Sequence, residues 1–362
     1  MLEQVRVGVV GTSWWPDLFY LPVLKSHAQV NLSAVCGRGQ ARAEEMAAKY
    51  GIPQVYTDYE EMFRKGNLDA VVIAVPDDLH YPIAMAALEA GLHVLGEKPM
   101  AFNLDQSRRL LAEAEAAGVR HMIQFTWRWA PYFRTLQSLI SQGYIGRCLD
   151  AQFAYFSDYA LGGEYQWKWD RQHGLGILGD LGAHLIDLAR LTVGEIAVVQ
   201  AALSVRVTKA HPDGKAYQPA NDSATLSVRF SNGAVGTIFT SAAVKTGSRG
   251  QVQRAVLCGE DGTLEVDSDS LGYSLRGIHA KETEFHEIPI PEEFLQGTQR
   301  NAPVFDQYTG IFSTQSVGPR LFIDSILADR PVTPGFYEGM KTQAVIDAAF
   351  ESDRSGCWVD VG

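Results

Sequence analysis

Short β-branched runs alternate with amphipathic stretches through the first third of the chain, and this alternation constrains the fold more than any other feature. Residues 5–10, 30–36, 69–75 and 93–96 read as strands, with helical stretches such as 41–50, 82–90 and 104–117 between them. Strands joined by helical crossovers run parallel in one sheet. Gly51, Gly91 and Gly118 fall where a helix ends or a strand begins, positions at which a left-handed residue stops a helix.

Beyond Gln124 the pattern changes to longer alternating runs at 148–157, 198–207, 223–230, 234–241 and 251–257. Ser231-Asn232-Gly233 between two of them signals a hairpin. The predicted fold class is therefore α/β. An N-terminal Rossmann doubly wound parallel sheet is expected over 1–125, followed over 126–362 by a C-terminal α/β domain with a large open, mostly antiparallel sheet. The unpaired edges and size of that sheet suggest a face for self-association. Segments 161–176 and 211–221 are the main polar or glycine-containing loops.

A chain of 362 residues suits two domains. Its net charge of -11, with no block of lysine or arginine, argues against a nucleic-acid partner, whose binding is dominated by phosphate neutralisation. The four cysteines, Cys36, Cys148, Cys258 and Cys357, are scattered and form no metal-ligand spacing, so neither a metal site nor a disulfide framework is expected. No apolar run approaches the roughly 20 residues that span a bilayer, and the expected setting is cytoplasmic.

At the end of the first strand lies Gly8-Val9-Val10-Gly11-Thr12-Ser13, where a glycine turn brings backbone amides close to a pyrophosphate at a helix start. The usual G-x-G-x-x-G is broken: counting from Gly11, Ser13 takes the second glycine position and Pro16 the third, with Trp14 and Trp15 between them. Taken alone, the turn reads equally as a glycine bend backed by core tryptophans; in its βαβ setting, cofactor binding leads. The second strand ends at Cys36-Gly37-Arg38 without the acidic residue that accepts a ribose hydroxyl. Arg38 suits a 2′-phosphate, which favours NADP over NAD.

Val75-Pro76-Asp77-Asp78-Leu79-His80 follows the third strand. Asp77 or Asp78 reads as a helix N-cap, while backbone of the same turn is placed to line the nicotinamide side. For His80, packing under the cap and contact with cofactor both stand. Gly96-Glu97-Lys98-Pro99 then sets a lysine at the exit of an apolar strand, where doubly wound sheets present ligands with chemistry. Pro99 keeps Lys98 out of the following helix. Glu97 and Gln124 complete the candidate cofactor edge.

Asp180 and His184 stand four apart in the glycine-rich helical segment 176–187, with Asp187 continuing the stripe. Separately they read as an N-cap and an interior histidine. Together, a carboxylate beside an imidazole is the equipment of a general acid/base. Gly176, Gly179 and Gly182 would weaken a helix unless something packs closely there.

These residues resemble the Gfo/Idh/MocA family of nicotinamide-dependent oxidoreductases, which includes glucose-fructose oxidoreductase and inositol 2-dehydrogenase. The likeness runs through residues 7–11, 87–94, Glu97-Lys98-Pro99, Arg128, 143–146, Gly179 to His184, 230–233 and 347–349. It implies catalytic roles for Lys98, Asp180 and His184 in a site between the two domains. It also implies that Trp167-Lys168 matches a Trp-Arg loop beside the cofactor, with lysine in place of arginine. Ser13, Pro16 and Asp77 depart from the family pattern. The implied activity is NAD(P)-dependent hydride transfer between nicotinamide and a secondary hydroxyl or ketone of a sugar, inositol or related polyol, by a homodimer or homotetramer. Trp127, Arg128, Tyr155, Tyr165, Trp169 and Asp170 supply aromatic and polar surface for such a substrate, or else core and interface. Two other functions fit the same fold: a glycosidase using transient oxidation by NAD, and a non-catalytic cofactor-sensing regulator.

Overall fold

The computed structural model describes residues 3–298 and 304–362. They form two compact units, one made of Met1–Phe125 with Gln296–Met340 and the other of Thr126–Leu295 with Lys341–Gly362. The segment 296–340 thus packs with the N-terminal unit.

In the first unit, β1 (Val5–Val10), β2 (Val30–Cys36), β3 (Gln54–Tyr56), β4 (Ala70–Ile73), β5 (His93–Glu97) and β6 (His121–Gln124) build a six-stranded sheet in the order β3-β2-β1-β4-β5-β6. Every pairing in it is parallel. β4 is buried along its whole length, as a central strand covered on both faces must be. Strand order reverses between β1 and β4, so the turns after these two strands flank the switch point at which such sheets bind ligands.

Helices Gln40–Tyr50, Tyr59–Lys65, Asp77–Glu89 and Leu104–Ala117 cover the sheet. Local chemistry sets their ends: Asp58 accepts from the amides of Glu60 and Glu61, Asn103 accepts from that of Gln106, and Gly51 and Gly118 supply left-handed stops. The third of these helices starts at Asp77, several residues ahead of the span expected from periodicity, and carries Pro82 inside it. Both Asp77 and Asp78 therefore lie in its first turn, where a carboxylate faces the positive end of the helix dipole. Helix Pro319–Leu327, which periodicity in the first third could not show, packs against β1, β5 and β6.

The second unit holds β7 (Cys148–Phe156), β8 (Ile196–Ser204), β9 (Ser223–Phe230), β10 (Val235–Ser241), β11 (Val252–Gly259), β12 (Gly262–Asp269), β13 (Gly272–His279), β14 (His286–Glu287) and β15 (Val359–Asp360). They form a nine-stranded sheet in the order β14-β13-β12-β11-β7-β10-β9-β8-β15. Only β7 and β10 pair in parallel; the sheet is mixed and mostly antiparallel. The hairpin at Ser231-Asn232-Gly233 joins β9 to β10, with Gly233 at φ +91°. β8 stops at Ser204 rather than running to Val207, because the amides of Arg206 and Val207 bond to the Asp222 carboxylate instead of a ladder partner. Among the described residues no helix is long and apolar enough to cross a membrane.

Candidate active site

At the end of β1, Gly11 has φ +123°, and a Cβ there would collide with the Ala74 carbonyl oxygen at the end of β4. Only glycine lets the two strand ends close on each other. A Cβ at Gly37 would likewise strike the side chain of Thr12. Ser13 and Trp14 are exposed, and the helix that follows is π-wound over Pro16–Tyr20, so the proline is accommodated near its start. Trp15 stacks on Phe19 and donates through Nε1 to Glu97 Oε1 at 2.6 Å, an oxygen that also accepts from Tyr20 at 2.7 Å. Glu97 thereby ties the glycine-turn helix to the end of β5, and its other oxygen accepts from the backbone amide of Lys98.

Arg38 is exposed just beyond β2. Its neighbour Arg42 is engaged elsewhere, donating to the Thr12 carbonyl and to Asp17. Asp17 also accepts from Lys49 and Tyr50; burial opposes its ionisation, yet these bonds hold its carboxyl below the ordinary range. After β4, Val75 and Pro76 are half-buried and lead into the helix carrying Asp77 and His80. The His80 ring lies 2.6 Å from the Pro99 carbonyl oxygen through Nδ1 and 2.9 Å from that of Val75 through Nε2. It links the turn after β4 to the residue following Lys98. Lys98 itself is half-buried directly after β5. Gln124, at the end of β6, is 0% exposed, and its amide finds no hydrogen-bond partner among the described residues.

The glycine turn that admits close backbone approach, the helix start behind it and the unsatisfied Gln124 amide fit a dinucleotide along this sheet edge.

In the second unit, Asp180 lies in a π-wound turn, Leu178–Gly182, that runs directly into the α-helix Ala183–Thr192 bearing His184. The π-turn widens the helical period locally, so the four-residue spacing does not have its regular α-helical geometry. Gly176 begins this segment because a Cβ would strike the Asn221 backbone. Asn221 in turn accepts from the amides of Ile177 and Leu178 and donates to the Leu175 carbonyl, capping the helix start. Gly182 lies close to Thr240 of β10.

Asp180 Oδ2 accepts from Lys168 Nζ at 2.6 Å and from the Tyr159 hydroxyl at 2.8 Å. Burial, and next the Asp180 charge, push the Tyr159 phenol well above its ordinary range, so it remains a donor. Tyr155 is raised in the same way, with burial ahead of the Asp180 charge, and donates to Gln251. His184 is 6% exposed and meets the Trp127 ring edge-on, and Trp127 in turn meets Tyr155. The arrangement offers an imidazole, a charge-paired carboxylate and an aromatic wall.

The description "Oxidoreductase family, NAD-binding Rossmann fold" matches residues 5–125, and "Oxidoreductase family, C-terminal alpha/beta domain" matches residues 137–361. The chain belongs to the Gfo/Idh/MocA oxidoreductase family. It is 27% identical to levoglucosan dehydrogenase of Pseudarthrobacter phenanthrenivorans across 99% of each chain. D-apiose dehydrogenase of Rhizobium rhizogenes is 24% identical, over 91% of this chain and 90% of that one. The scyllo-inositol 2-dehydrogenase (NADP(+)) of Bacillus subtilis is 28% identical over 51% of each. A solved levoglucosan dehydrogenase in complex with NADH shares the fold, with a TM-score of 0.88 at 24% identity over 99% of each chain. Membership of the Gfo/Idh/MocA family makes this protein an NAD(P)-dependent dehydrogenase on an NAD-binding Rossmann domain.

Other residues of this Gfo/Idh/MocA protein take places that sequence alone did not show. Arg128 forms a buried bidentate pair with Asp187, and Tyr165 donates to Asp170 while its ring packs on His211 and Tyr217. Trp169 is interior, with the Tyr159 ring and the Lys209 ammonium against it. Lys209 is itself buried beside Asp222, and burial lowers its pKa against the pull of that carboxylate. Tyr159 and Asn221 both act on the Asp180 segment yet sit in loops whose sequence carries no periodic signal.

Proposed function

We propose that this protein oxidises a secondary hydroxyl of a sugar, inositol or related polyol, or reduces the matching ketone, with NADP preferred to NAD. The observation that carries the proposal is the Asp180 carboxylate, fixed by Lys168 and Tyr159 one turn ahead of buried His184. The names of the levoglucosan, apiose and inositol dehydrogenases support the substrate class. Arg38, exposed beyond β2 where an acidic residue would serve NAD, supports the phosphorylated cofactor.

Gly11, Thr12, Ser13 and the helix start at Trp14 and Trp15 would hold the pyrophosphate, with Gly37 and Arg38 at the adenosine end. Val75, Pro76, Asp77, His80, Glu97 and Gln124 would border the nicotinamide half. Bound nicotinamide supplies the hydride acceptor. His184 takes the hydroxyl proton, Asp180 favours the resulting imidazolium, and Lys98 hydrogen-bonds the substrate oxygen. In reduction the proton moves back from His184. Trp127 and Tyr155 offer ring surface to the apolar face of a sugar. Arg128, gripped by Asp187, serves by fixing the segment that carries Trp127. The nine-stranded sheet supplies the face for a homodimer or homotetramer, testable by light scattering.

The deciding experiment titrates the protein with NAD and NADP and then follows nicotinamide absorbance across sugars, inositols and their keto forms. Cofactor-dependent turnover of at least one polyol is expected. No turnover with any of them would overturn the proposal, and release of an aglycone with no net absorbance change would indicate a glycosidase instead.

A further inference from the structure

A buried ammonium in the second unit has no part in the chemistry described so far. Lys209 is 4% exposed; its Nζ donates to the Val207 carbonyl at 3.0 Å and lies 3.8 Å from Asp222 Oδ2. Asp222 is fully buried and also accepts from the amides of Arg206 and Val207, while the Lys209 carbonyl accepts from the Tyr217 hydroxyl. The lysine is thus pinned at backbone and side chain alike. Burial lowers its pKa against the pull of Asp222, so the charge is kept in the interior against a desolvation penalty. Packed apolar residues in place of a buried ion pair are often neutral or stabilising, and stability alone gives little reason for an ammonium here.

What the charge meets is a ring. Lys209 Nζ lies 4.3 Å from the centre of the Trp169 ring, and a cation over an aromatic face is held there electrostatically, most strongly where water is excluded. Trp169 is 2% exposed, and its Nε1 finds no hydrogen-bond partner among the described residues, so no hydrogen bond fixes the angle of the indole. Its backbone carbonyl is tied to the Ala220 amide, and its ring is set between the Lys209 ammonium and the Tyr159 ring, whose centre is 5.6 Å away. Tyr159 in turn donates to Asp180 Oδ2 at 2.8 Å. That bond weakens steeply with misalignment, so a drifting ring would loosen it. We infer that Lys209 is a positioning residue for hydride transfer, which acts through the Trp169 and Tyr159 rings to hold the Tyr159 hydroxyl on Asp180. This rests on the dehydrogenase function proposed above, in which Asp180 favours the His184 imidazolium. The imidazolium forms as the substrate proton leaves, so the effect of Lys209 falls on the transition state rather than on substrate binding.

The test uses the full chain and a polyol that the absorbance screen shows to be turned over. Lys209→Met should lower kcat and kcat/KM together by about five- to tenfold, as expected when a hydrogen bond to a charged group is weakened, with KM within about twofold of native. Lys209→Gln, which keeps a donor for the Val207 carbonyl without the charge, should show the same loss and serves where the methionine variant fails to fold. Lys209→Arg keeps a cation for the ring face and should recover kcat to within about twofold of native. A double-mutant cycle then separates positioning from general damage. Tyr159→Phe should lower kcat by about tenfold, and adding Lys209→Gln to it should lower kcat by less than about a further twofold. Native kcat in both Lys209→Met and Lys209→Gln would overturn the inference, as would losses that multiply in the double variant or a raised KM with kcat unchanged. If the native protein turns over no polyol, the proposed function fails and the inference falls with it; if the native protein is active and the losses multiply, only the inference fails.

Discussion

Asp187 holds Arg128 through two parallel hydrogen bonds, 2.5 Å from Nε and 2.6 Å from Nη2, with the Asp187 side chain fully buried and that of Arg128 only 8% exposed. The pair joins the segment Thr126–Trp129 to the helix that carries His184. Removing one partner strands the other charge in the interior. Arg128→Met should therefore destabilise the protein by about 3–5 kcal/mol, whereas Arg128→Met combined with Asp187→Leu should recover most of that loss. Guanidinium unfolding followed by tryptophan fluorescence measures both, and equal stability of the single variant and the native chain would contradict the account.

His184→Ala should keep its affinity for dinucleotide, since the glycine turn and Arg38 belong to the other unit. Turnover should fall by about 10²–10⁴, the usual contribution of a positioned general base. Stopped-flow absorbance with the best substrate gives the rate, and a fully active variant would remove His184 from the mechanism.

Arg38→Ala separates the two dinucleotides. Loss of a charge-assisted bond to a 2′-phosphate corresponds to roughly 10- to 100-fold in NADP affinity, while NAD should change by less than about twofold. Calorimetric titration with each cofactor decides it; equal losses would leave no basis for preferring NADP.

Two half-buried histidines make the first unit sensitive to acid. Burial lowers the pKa of His93 and of His121, and Nδ1 of each accepts a backbone amide, from Arg120 at 2.8 Å and Phe336 at 3.0 Å. Below the ordinary histidine value of 6.5 the unfolded chain binds protons that the folded one resists. Stability is thus complete above that value and is lost as pH falls towards the lowered folded values. Asp17 and Asp69, both held below the ordinary 3.8, add a second loss at still lower pH. Melting temperature should fall between about pH 7 and pH 5, with a shallower slope in His93→Asn and His121→Asn, whose amide oxygens accept the same N–H without titrating. Unchanged slopes would show that other groups control the acid transition.

Elements that depend on neighbours in sequence were legible without coordinates. The β-branched runs of β1, β2, β4 and β5 specify buried parallel strands, Ser231-Asn232-Gly233 specifies a hairpin, and the glycines at 51 and 118 specify helix stops. In each case the determining physics, burial period or allowed φ, acts within a few residues.

Only the tertiary structure decided where 296–340 packs, why β8 ends at Ser204 and what surrounds Asp180. Lys168 and Tyr159 reach Asp180 from 12 and 21 residues away, and Asn221 caps the same helix from 43 residues away. Tyr159 and Asn221 sit in loops and Lys168 in a single 3-10 turn, where no repeating pattern marks which side chain turns inward. Their meeting is fixed by the packing of the whole unit around the sheet, whereas the strands and helices themselves are fixed by hydrogen bonding and burial that each stretch of chain carries in its own sequence.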